Sequence, residues 1–230
     1  MAGSGDEARL KSILAEMRTA RAAAIGGLVF AVLMSIVLVL FRGAFPLDQY
    51  LDTESMPSPE ALSRARIALM LVPYTGIAFL WFTAALNYNV GSADQRLFTT
   101  VFIGSGILFV AVVFVAAAFA SAELTALDRG IDLTDGIRIV PAVAVNELLV
   151  GYSARMSAVF CLSLSTMGRI RKVLPPWLYI LGVVTGLFLL LVPFGVPHID
   201  FVFPVWVMTI SIFLLVKDPG GKARATEAAA

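Results

Sequence analysis

Six long apolar stretches run through the chain at 22–41, 67–88, 98–120, 142–167, 177–196 and 201–216, separated by segments rich in charge, proline or glycine. Five of them hold no charged residue, and the fourth holds Glu147 and Arg155. A hydrocarbon core of about 30 Å is crossed by roughly 20 residues of α-helix, a structure that satisfies its backbone polar groups within one segment. The pattern predicts an all-α, polytopic membrane bundle of six transmembrane helices over 22–216, with a leader at 1–21 and a flexible tail at 217–230.

Composition agrees with this reading. Hydrophobic residues make up 59% and charged residues 14% of the chain, against roughly 45–50% and 25% in soluble domains, and the mean hydropathy is +0.90. The connections are too short to bury a core of their own. Charge informs by side: Lys and Arg number 11 on the side of the two termini and 5 on the other. The positive-inside rule then makes both termini cytoplasmic, N-in/C-in, in a cell membrane. A net charge of +1 gives no ground for a nucleic-acid partner. The polar leader is long and lacks a small-residue cleavage site, so the first span is expected to stay uncleaved. With Cys161 alone, neither an intrachain disulfide nor a CxxC pair is possible.

Local signals set expectations for the connections. In the leader, Leu10, Ile13, Leu14 and Met17 fall on one stripe beside Arg9, Lys11, Arg18 and Arg21, which suits either a helix lying on an anionic leaflet or a solvated extension of the first span. Pro46, Pro57 and Pro59 predict an irregular first outer loop, with Ser58 capping the next helix and Pro59 at its first position. Residues 121–141 read as a second outer loop with a turn at Asp135-Gly136. Pro175-Pro176-Trp177 ends one helix and begins another, with the indole at headgroup depth. Pro73, Pro193 and Pro204 are candidate kinks, and His198 with Asp200 reads as a surface pair. The sixth window is short, so Lys217 is expected to snorkel.

Candidate chemistry centres on the fourth window. Arg155 lies near the midpoint of its apolar run, and a charge at bilayer centre costs about 2.5–3.5 kcal/mol on insertion scales, so it should face the bundle or a wet cavity. Glu147 lies about two turns nearer the outer face. Their separation disfavours a direct pair. Depth counting gives Arg155 a polar cluster drawn from Tyr74, Thr75, Thr185 and Thr209, which serves as a structural clasp or as a binding site.

Other features read as packing. Gly104-Ser105-Gly106 is similar to the nucleophile surroundings of rhomboid proteases, but Ile103 stands where that motif needs glycine and His198 is too far in depth to be a base. Small residues there suit close helix approach. One His, one Cys and scattered carboxylates lack metal-ligand spacing, and no motif calls for a cofactor. The stretch 67–120, with Trp81, Phe98 and the run 102–109, resembles integral membrane proteins of high-GC bacteria that carry no assigned activity. So does 155–216, with its runs 163–166 and 173–178. The resemblance implies a bacterial cytoplasmic membrane and a six-helix fold. The chain is therefore expected to be a non-enzymatic accessory module that binds a lipid, a membrane-protein partner or a second copy of itself. The alternative is a small transporter or channel with an Arg155/Glu147 site.

Overall fold

The computed structural model describes residues 3–44, 58–90, 96–131, 135–192, 196 and 198–216, with 3–19, 88–90, 96 and 135–139 as backbone only. The described residues form helices and turns, with no strand: α1 (Gly3–Ala44), α2 (Pro59–Val90), α3 (Arg96–Asp128), α4 (Asp135–Asn146), a π-helical turn (Glu147–Tyr152), α5 (Ser153–Ile170), α6 (Pro176–Leu191), a 3₁₀ turn (Ile199–Phe201) and α7 (Val202–Val216). Five stretches are long and apolar enough to cross a bilayer: Ala20–Ala44, Pro59–Asn87, Leu97–Asp128, Val140–Ile170 and Ile199–Val216. The helix Pro176–Leu191 is apolar but shorter, about 24 Å at 1.5 Å per residue. The irregular first loop, the faces of the leader, the Pro193 kink and Lys217 lie outside the described residues.

Helices adjacent in sequence are adjacent in space. α1 packs along α2, α2 along α3, α3 along α5 and α5 along α6, while α7 returns to α1 and a lighter α6–α7 seam closes the ring. The end holding Ala44, Asp128 and Asp200 is termed upper, and that holding Ala20, Ile170 and Pro176 lower. Aromatic side chains fill the middle. Phe79 of α2 lies 4.6 Å from Phe30 of α1, 5.0 Å from Phe109 of α3, 5.1 Å from Phe160 of α5 and 5.7 Å from Phe203 of α7, centroid to centroid. Phe102 and Phe82 extend the stack along Phe160, and Trp206 joins it from α7. Tilted and edge-on contacts of this kind add to the dispersion that holds a bundle together where no water drives burial.

Close approach depends on glycine at the α5–α6 contact. A Cβ at Gly186 would come within 2.7 Å of the Leu162 side chain, and one at Gly182 would overlap Ser165 Oγ. Gly106 likewise lies 3.3 Å, by its missing Cβ, from the Phe160 ring, whereas Gly104 faces open space. The expected packing role thus belongs to Gly106 alone of that pair.

Ser58 accepts a 3.2 Å bond from the Ala61 amide and Pro59 opens α2, as the sequence predicts. The second outer loop is shorter than predicted. α3 runs on to Asp128 because Leu124 packs against Ala44 and Ala65, and the turn falls at Gly130 (φ +64°), where the Gly130 amide bonds Leu127 O and the Ile131 amide bonds Ala126 O. This closure needs a left-handed residue just past the helix end, which glycine supplies at least cost. Asp135-Gly136 opens α4 instead of forming the turn. α2 continues through Pro73, and Pro204 sits in the first turn of α7, where a missing amide breaks no helical bond. α6 begins at Pro176, with Trp177 half exposed and its ring 6.0 Å from Phe213.

Candidate functional site

The helix formed by α4 and α5 is continuous but changes width. Asn146 and Ser153, at either side of the π turn, both keep right-handed helical angles, and the Ser153 amide reaches back five residues to Leu148 O. A wide turn carries one residue more than an α-turn and rotates the face below it. The buried apolar residues step by five there, from Leu149 to Ala154, between Ala142, Val145 and Leu149 above and Ala154, Ala158 and Cys161 below, while the buried Ser153 and Ser157 continue from Leu149 at a spacing of four. Side chains attend the displaced carbonyls. Ser153 Oγ donates to Leu149 O, the acceptor its own amide would hold in an α-helix, and Arg155 Nη1 donates to Gly151 O at 3.1 Å.

Arg155 also reaches across to α6. Its Nη2 donates to Val192 O at 2.8 Å, and Val192 is the residue at which α6 turns extended (ψ 132°). A guanidinium on the last carbonyls of a helix meets both an orphan acceptor and the negative end of the helix dipole. Arg155 is thus the C-terminal cap of α6. Although central in its own apolar window, it lies level with the upper end of α6, because the helices of the ring differ in length.

A second polar contact lies at the same level. Asp200, on the 3₁₀ turn, accepts from Arg42 of α1 through Nε at 3.3 Å and Nη2 at 2.5 Å, and the guanidinium stands 5.7 Å from the Phe201 ring. The carboxylate is 5% exposed. Asp200 therefore pairs with Arg42 and not with His198, whose ring lies by Phe201. Ser157 Oγ is bonded to Ser153 O at 2.8 Å. Asp200, Ser153 and Ser157 meet Met34, Phe109 and Leu189 around a cavity of about 10 Å³, space for about one water.

The residues predicted to surround Arg155 fall in different places. Thr75 and Thr209 donate to their own helices, at Leu71 O (2.9 Å) and Val205 O (2.9 Å). Tyr74 is 64% exposed on the outer face of α2. Thr185 is buried on α6, seven residues before Val192 and so about 10 Å lower. Glu147 opens the π turn, half-buried, two turns above Arg155. The bonds to Gly151 and Val192 escaped the sequence reading because backbone carbonyls leave no residue-type signature. Glu123, assigned by sequence to an outer loop, is a buried residue of α3 at 2% exposure.

Ser105 is buried and donates to Phe102 O at 3.0 Å, while His198 sits at the upper end in a left-handed conformation (φ 65°). Among the described residues, no group of three or more His, Cys, Asp or Glu converges. The lower half contains polar atoms of another kind: Ser165 Oγ, Trp206 Nε1 and Ser211 Oγ are buried without a hydrogen-bond partner. Ser165 Oγ and Trp206 Nε1 both lie against Gly182. No protein-family model, curated protein or solved structure matches the chain.

Proposed function

We propose that the chain is a six-pass protein of a bacterial cell membrane, N-in/C-in, that serves as a non-enzymatic accessory module binding a lipid, a partner membrane protein or a second copy of itself. The observation that carries this reading is the filled axis: Phe30, Phe79, Phe109, Phe160 and Phe203 meet where a transport path through the ring would run. With the lower boundary at Trp177 and Arg169, a hydrocarbon slab of about 30 Å ends near the π turn. α6, extended by its cap, then crosses as the sixth pass, and the Arg155 guanidinium at Val192 O lies about 22 Å above Trp177, leaning toward the upper headgroup region from within the slab. Arg155 is a clasp between two helices in this arrangement. The upper ends of α2 and α3 stand above the slab, joined by the Arg66–Asp128 ion pair, and form a rim for contact with a partner.

A transporter reading draws on one observation, the cavity beside Asp200, Ser153 and Ser157 next to a π turn. Reconstituting wild-type and Arg155→Met protein in vesicles tests both. The accessory reading expects a lipid or protein to accompany the wild type through mild detergent, solute uptake at background, and a loss of folded yield in the variant. Normal yield with altered flux would establish the transporter.

A further inference from the structure

We infer that the turn between α5 and α6 is a receptor for the phosphate of an anionic phospholipid in the lower leaflet, which rests on the membrane reading above. Arg169, Arg171 and Lys172 place three cations within four residues, and they are exposed. The turn that displays them is fixed. Val173 and Leu174 both donate to Gly168 O, at 3.0 and 3.2 Å, and Leu174 is buried against Gly168 where no Cβ would fit. Pro175 and Pro176 then hold the chain into α6. Lys172 occupies the left-handed position that closes the helix (φ 56°), a place where glycine costs less, so a cation stands there against backbone preference.

Arg169 lies over the ring of Tyr179 at 5.7 Å. A guanidinium held over a ring keeps N–H donors for a two-point contact with phosphate oxygens. The Lys172 ammonium adds a point charge, and Trp177, half exposed in the first turn of α6, is a residue type that seats among headgroups. A backbone fixed in this way need not be ordered on binding, which favours retention of a lipid over transient attraction.

The test is native mass spectrometry of the full chain in mild detergent with equal phosphatidylglycerol and phosphatidylcholine. Wild type should retain phosphatidylglycerol preferentially. Each of Arg169→Gln and Lys172→Gly should reduce the preference about fivefold, the effect of one cation near a charged surface, while Arg129→Gln, exposed just past the upper end of α3, leaves it unchanged. Lys172→Gly suits the backbone and so keeps the fold. Equal retention of the two lipids by wild type, or unchanged preference in both variants, overturns the proposal. Displacement by millimolar glycerol phosphate also overturns it, in favour of a soluble phosphate ligand. Release of the chain from membranes by alkali would overturn the membrane reading itself.

Discussion

The two halves of α5 solve the same problem in opposite ways. Above, around the π turn, Ser153, Ser157 and Arg155 each give a hydrogen bond to a backbone carbonyl. Below, Ser165 Oγ lies buried with no partner, pressed against Gly182 and beside an equally unpartnered Trp206 Nε1. In the upper half hydrogen bonding dictates the conformation, because a register change displaces backbone carbonyls that then need other donors. In the lower half Thr166 still donates to Leu162 O at 2.8 Å, but at Ser165 close packing decides: glycine brings α6 so near that the shape of the contact outweighs one hydroxyl. Polarity of residue type alone therefore does not mark a site in this bundle.

The largest expected effect is at Arg155. Arg155→Met removes two donors at once and leaves Gly151 O and the end of α6 without them, a loss of about 2–4 kcal/mol if each costs what an abandoned buried acceptor usually does. Equilibrium unfolding in mixed detergent micelles should show it, and Arg155→Lys should recover only part, since an ammonium cannot span both carbonyls with a planar fork. Wild-type stability of the Met variant would mean that α6 needs no cap, and the contrast between the halves would lose its upper term.

In the lower half the test is steric. Gly182→Ala places a methyl onto Ser165 Oγ and within 3.2 Å of Trp206 Nε1, an overpacking expected to cost about 1–3 kcal/mol. Adding Ser165→Ala removes the nearer obstacle, so the double variant should recover most of that loss. The coupling between the two sites, read from a double-mutant cycle, should exceed about 0.5 kcal/mol. Additive losses would show that α6 does not depend on this contact.

Much of the helical framework was legible because apolar runs must be long and unbroken to satisfy their backbone in lipid. The Ser58 cap and the Pro176 start were legible for the same local reason, since each rests on residues adjacent in sequence. What escaped was long-range or backbone-directed. Asp200 is 158 residues from Arg42, and nothing near His198 in sequence announces that partner. The extension of α3 to Asp128 depends on Leu124 meeting α1 and α2, and the true turn at Gly130 outcompeted Asp135-Gly136 once that contact was made. The π turn leaves only a step of five between the apolar Leu149 and Ala154, which the buried Ser153 and Ser157 mask and which is visible only after the buried face is known.

The smallest effect is the sharpest, because it turns on sign. Ser153→Ala and Ser165→Ala delete the same hydroxyl from the same helix, twelve residues apart. At 153 the hydroxyl serves Leu149 O next to the π turn, so its loss should cost about 1 kcal/mol. At 165 it makes no bond and is fully buried, so its loss should stabilise by roughly 0.5–1 kcal/mol, the relief of an unpaired polar atom. Measured side by side in one detergent, the two variants should move the unfolding midpoint in opposite directions. Equal shifts would place both serines under a single rule and remove the distinction between a half ordered by hydrogen bonds and a half ordered by shape.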